Sequence, residues 1–136
     1  MKQLSLILFL LTTGVSSAQT NAVPKEIQTT FAGIWEVKEK YGTNTVSIRF
    51  EPGKNYAVVK DIGNGMAPPR TFQATLKGKT FVIPAQKEKN DYIELEVIRG
   101  KLHLRSKPVN WNGQGDLGDD NANKFKVKIF TRMLLH

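Results

Sequence analysis

The chain of 136 residues contains no cysteine. That excludes a disulfide framework, thiolate zinc sites, iron–sulfur clusters, a cysteine nucleophile and a lipidated N-terminal cysteine. Histidine is nearly absent too, with only His103 and the terminal His136, so imidazole-based acid–base or metal chemistry has little to build on. No Gly-x-Ser-x-Gly, His-Glu-x-x-His or phosphate-loop sequence occurs, and the chain reads as a non-enzyme without a cofactor. Acidic side chains are few, 12 against 20 basic ones, and the formal net charge is +8. A basic balance of this size favours anionic surfaces or partners. The length allows one core and no second domain.

What is present begins with an address. Residues 1–18 read MKQLSLILFLLTTGVSSA. Lys2 supplies a positive start, Leu4 to Leu11 an apolar stretch, and Ser16-Ser17-Ala18 small residues at a cleavage site. This is the pattern of a secretory signal peptide cleaved after Ala18. The apolar stretch is shorter than the roughly 20 residues that cross a bilayer as a helix. The expectation is a secreted or periplasmic, monomeric protein that is not transmembrane. Residues 19–30 form a lead-in and 31–136 a single domain. Without disulfides, that domain has to be held by its core.

The domain is patterned with period two. Val46, Ile48 and Phe50 alternate with polar residues, as do Ile93, Leu95 and Val97, then Leu102 and Leu104, then Phe125, Val127 and Ile129. Alternation of this kind marks strands with one buried face. Eight strands are expected, at about 33–41, 44–51, 55–62, 71–77, 79–87, 91–99, 101–107 and 124–132, separated by glycine-, proline- and asparagine-rich turns. A two-residue turn at Arg99-Gly100 sets Val97 against Leu102, Leu95 against Leu104, Glu96 against His103 and Glu94 against Arg105. Turns at Gly42-Thr43 and Lys77-Gly78 likewise set Trp35 against Phe50, Val37 against Ile48, and Ala74 against Phe81. An open meander would leave two raw edges. The fold expected is therefore all-β, an eight-stranded antiparallel up-and-down meander closed into a small barrel.

Phe31-Ala32-Gly33-Ile34-Trp35 opens the first strand, and Arg132 stands near the end of the last. Gly-x-Trp at the start of an eight-stranded barrel, with an arginine on the final strand, resembles the lipocalin and wider calycin signature. The resemblance implies that Trp35 plugs one end of the barrel and that Arg132 packs over it, although alternation counted from Ile129 turns Arg132 outward. It covers 31–132 in architecture and Gly33, Trp35 and Arg132 in motif. The short chain, the tight first hairpin and the lack of a C-terminal helix depart from typical lipocalins, and the chain is more similar to compact bacterial lipocalin-like domains. The resemblance implies binding of a small apolar or amphipathic molecule.

The candidate lumen and mouth residues are Trp35, Val37, Ile48, Phe50, Tyr56, Phe72, Phe81, Leu95, Leu104, Trp111, Phe125 and Val127. An eight-stranded barrel can be filled by such side chains or can hold one small ligand. On the outside, Lys101, His103, Arg105, Lys124, Lys126 and Lys128 are expected to form a basic stripe. It serves solubility or meets an anionic surface or protein partner. Nucleic acid is a poor fit to an exported chain, and the stripe lacks the aromatics among its lysines that single-strand binders use. Asp116, Asp119 and Asp120 in the 110–123 loop offer calcium-type oxygen ligands, but their spacing matches no calcium-loop template. Other readings are a protein-binding barrel, acting as inhibitor or adaptor of an exported protein, and an envelope-associated protein using the basic stripe.

Overall fold

The structure, a computed structural model, describes residues 22–108 and 125–134. One short helix, α1 (Lys25–Phe31), precedes eight strands: β1 (Gly33–Glu39), β2 (Gly42–Phe50), β3 (Tyr56–Gly63), β4 (Arg70–Lys77), β5 (Thr80–Ile83), β6 (Tyr92–Ile98), β7 (Lys101–Lys107) and β8 (Lys126–Arg132). Each strand pairs antiparallel with its sequence neighbour, and β8 closes on β1. This is the expected all-β meander closed into a barrel. No helix among the described residues is long and apolar enough to cross a membrane.

A helix as short as α1 does not hold itself in water. Packing holds it. Ile27 and Phe31, four residues apart on one face, cover one end of the barrel together with Val23. Phe31 meets Phe81 edge-on at 4.8 Å between ring centroids. Trp35, Ala57, Ala74, Phe81, Leu95 and Leu102 have no exposed surface, so this half of the interior is packed solid.

The β6–β7 hairpin has the expected register, with Val97 opposite Leu102 and Glu94 opposite Arg105. Its turn holds Arg99 at φ 53° and Gly100 at φ 79°, the two positive values of a type I′ turn. Two other registers differ from expectation. In β1–β2 the turn is Lys40-Tyr41, and Trp35 lies opposite Val46 rather than Phe50. In β4–β5 the turn is Gly78-Lys79, and Phe81 lies opposite Leu76 rather than Ala74. Both shifts are even-numbered. Every side chain keeps its face, and a period-two pattern cannot detect such a shift. Strand β5 stops at Ile83 instead of 87 because Pro84 has no N–H for the ladder.

Two strands carry the opposite phase to the one expected. In β3, Val59 pairs with Ile48 and Ala57 with Phe50. Ala57, Val59 and Asp61 thus face in, and Tyr56 and Val58 face out. In β8, Phe130 lies opposite Leu102 and is 1% exposed, so Lys126, Lys128, Phe130 and Arg132 share the inner face. Phe125, Val127 and Ile129 are on the outside, 41%, 52% and 45% exposed. The reason lies at the closed end. Only this phase brings Arg132 across to Trp35, its register partner in β1.

Candidate functional site

The two ends of the barrel differ. At the closed end the Trp35 Nε1 donates to the Phe31 carbonyl at 2.9 Å. The Arg132 guanidinium lies 4.4 Å from the Trp35 ring centroid. It also donates to the carbonyls of Ala32 and Thr30, each at 2.6 Å. Gly33, at φ +135°, would carry a Cβ 3.4 Å from the Arg132 Nη1. Glycine is needed there for its backbone conformation and for the close passage of the arginine. Among the described residues this end is closed by the Trp35 and Arg132 latch.

Among the described residues the opposite end is open. A cavity of about 680 Å³ lies between the upper parts of the strands, within the size range of small-molecule sites. Its floor is apolar, formed by Val46, Ile93, Leu104 and Phe130. Its rim is polar and charged. The rim cations are Arg70, Lys89, Lys126 and Lys128, and its acids are Asp61, Glu88 and Asp91. Asn44 and Ser106 add neutral polar groups.

Several rim groups already hold one another. Arg70 donates to Asp61 at 3.1 Å and to the Lys89 carbonyl at 3.0 Å, and its guanidinium lies 5.3 Å from the Phe72 ring centroid. That ties β4 to the β5–β6 connection. Lys128 reaches Glu39 of β1 at 3.3 Å, and the Asn44 side-chain amide donates to the same carboxylate at 2.8 Å. The Asn44 bond, and then Lys128, hold the Glu39 carboxyl below its ordinary value. In the β5–β6 connection, the Asn90 amide donates to the carbonyls of Pro84 and Asp91. The early stop of β5 leaves a groove of about 850 Å³ between Gln73 and Asn90, sharing Arg70 and Lys89 with the mouth.

The expected lumen residues divide accordingly. Leu104 lines the mouth. Trp35, Ile48, Phe81 and Leu95 are sealed in the core, and Val37, Phe50 and Phe72 pack half-buried against it. Tyr56 faces outward, its hydroxyl 3.2 Å from Glu51. Burial, and then the bond to Glu51, push its phenol up. Phe125 and Val127 are corrected to the outer wall by the phase of β8. Trp111, Lys124, Asp116, Asp119 and Asp120 lie outside the described residues.

The basic stripe is likewise divided. Lys101, His103 and Arg105 do face outward on β7, but Lys126 and Lys128 line the mouth instead. Arg105 is engaged by Glu94 and Glu96, at 3.1 Å each. The outer wall of β8 is therefore an apolar ridge, with Tyr92 6.3 Å from Phe125 and the Lys107 ammonium 5.8 Å from the same ring. Asn44, Asp61, Arg70 and Ser106 were not among the expected site residues, nor were the lysines in this role. One sequence signal pointed to the lysines: if Arg132 covers Trp35, alternation places 130, 128 and 126 on the same inner face.

Comparison with protein-family models, curated proteins and solved structures finds no match to this chain.

Proposed function

We propose that this chain is an exported, lipocalin-like binding barrel that takes a small amphipathic molecule into its open end. The observation that carries the proposal is the division of the interior. One half is packed and latched by Trp35 and Arg132. The other is a cavity of about 680 Å³ with an apolar floor and a polar rim. An apolar floor supplies affinity, and a few rim groups orient the bound molecule. The leader pattern of residues 1–18 supports export. The Gly33, Trp35 and Arg132 cluster supports the lipocalin-like assignment. We read the chain as a binder and not an enzyme. His103, Glu94 and Glu96 are the nearest thing to an acid–base set, yet they lie on an outer wall where Arg105 engages both carboxylates.

Native mass spectrometry of the purified protein tests this reading. An added mass, lost on denaturation and absent from Leu104→Trp, which fills the floor, is the expected result. A bare chain that also takes up no added amphiphile would refute it. A second reading, a protein-binding barrel, is favoured by the exposed Phe125, Val127 and Ile129 ridge. Contiguous apolar surface of this kind marks contact sites.

A further inference from the structure

Three of the four inward side chains of β8 are cations, Lys126, Lys128 and Arg132, while Val127 and Ile129 face outward. Toward the closed end the inward cation Arg132 is consumed by Trp35 and two carbonyls. One step up, Phe130 completes the apolar floor. Above it Lys128 is shared with Glu39. At the rim stands Lys126, paired across the ladder with Ser106. Among the described residues no carboxylate lies within ion-pair distance of Lys126.

The acids of the mouth are distributed unevenly. Asp61 is neutralised by Arg70. Glu88 and Asp91 belong to the β5–β6 connection, where both are exposed and Lys89 stands between them in sequence. The wall made by β7 and β8 contributes two ammonium groups and a hydroxyl to the mouth, and no acid. Lys126 and Lys128 are two residues apart on one face, hence about 6–7 Å apart along the strand, a spacing that one acidic head group can bridge with its oxygens.

Resting on the binding reading above, we infer that the ligand is an amphipathic anion. Its acidic head, a carboxylate or phosphate, sits against Lys126, Lys128 and Ser106, and its apolar part lies on Val46, Ile93, Leu104 and Phe130. Both ammonium groups are exposed at the rim, so their attraction for an anion is screened by salt, while the apolar floor below them takes the tail. The net positive charge of the chain draws such a ligand in.

A head-group series at constant tail length tests the inference: decanoate, decyl phosphate, decanol and decyltrimethylammonium, titrated calorimetrically into the purified protein. Decanoate or decyl phosphate should bind at least about tenfold tighter than decanol, as expected for one charge-assisted hydrogen bond. That advantage should shrink with added salt. It should vanish in Lys126→Gln and persist in Lys101→Gln, which alters only the outer wall. Equal binding of all four, or preference for the trimethylammonium, overturns the anion assignment and leaves the binding cup standing. Failure of all four to bind overturns both.

Discussion

Replacing Arg132 by methionine should unlatch the closed end of the barrel. The guanidinium makes two charge-assisted bonds to backbone carbonyls, at 2.6 Å each, and a cation–π contact at 4.4 Å. Discounted for partial exposure, each bond contributes about 1 kcal/mol, and the contact with a buried indole about 1–2 kcal/mol. Methionine keeps the apolar stem and loses all three, for a total of about 3 kcal/mol. In a domain of this size each kcal/mol lowers the melting temperature by about 4 °C, so the drop should be about 12 °C. Arg132→Lys keeps the charge without the planar fork and should recover roughly half of the loss. Gly33→Ala should also destabilise, through its φ of +135° and the approach of the Arg132 Nη1. In the Arg132→Met background only the backbone part of that cost remains, so the double mutant should be less destabilised than the sum of the singles. Urea and thermal unfolding, followed by circular dichroism, measure all four variants. Arg132→Met within about 1 kcal/mol of wild type, well below the drop of about 3 kcal/mol expected here for three lost contacts, would refute the latch.

The phase of β8 can be read from a pair of variants. Phe130→Ala should cost about 3–5 kcal/mol as a core truncation, and Ile129→Thr less than about 0.5 kcal/mol as a surface change; the reverse order in denaturant unfolding would show the other phase. Arg99→Asn should stabilise the β6–β7 turn by about 0.5 kcal/mol, since asparagine tolerates positive φ better than arginine; an unchanged or lower urea midpoint would contradict the turn type. Asn44 and Lys128 depress the Glu39 carboxyl, so the unfolded state holds its proton more tightly than the folded one. The contribution of this group is complete above the ordinary pKa and is lost as pH falls through the folded value. Glu39→Gln should therefore flatten the acid limb of stability as pH falls below the ordinary carboxylate range, and identical limbs in variant and wild type would rule the linkage out.

Strand number, strand order and the inner face of six strands were legible in the sequence, because burial on one side of a pleated sheet writes a period of two into the chain. The β6–β7 hairpin was readable down to its register. Apolar and charged pairs there leave one alignment, and Arg99-Gly100 permits one turn. The registers of β1–β2 and β4–β5 were not. Shifts of four and of two residues preserve every face, so only the length of the real turn, Lys40-Tyr41 or Gly78-Lys79, distinguishes them. The candidate site was less legible than the fold. Most residues expected to meet a ligand turned out to fill the packed half, because alternation reports which side chains face inward and not how far along the barrel they lie.

What the sequence by itself determined, then, is an all-β meander; that Gly33, Trp35 and Arg132 belong to one cluster was implied only by a family resemblance, against the alternation counted from Ile129. The tertiary structure decided the phase of the strands whose local pattern is ambiguous. Tyr56 to Val59 is a run without polar alternation, and Ile48 and Phe50 across the ladder choose Ala57 and Val59 as its inner residues. Phe125, Val127 and Ile129 alternate cleanly, yet Phe130 and Arg132 compete for the same interior from the other phase. The barrel takes the phase that places Phe130 against Leu102 and Arg132 over Trp35. Full burial of Phe130 together with the Arg132 latch at the closed end outweighs burial of Phe125, Val127 and Ile129 at positions nearer the rim. That global choice, invisible within β8, is what turns Lys126 and Lys128 into the mouth.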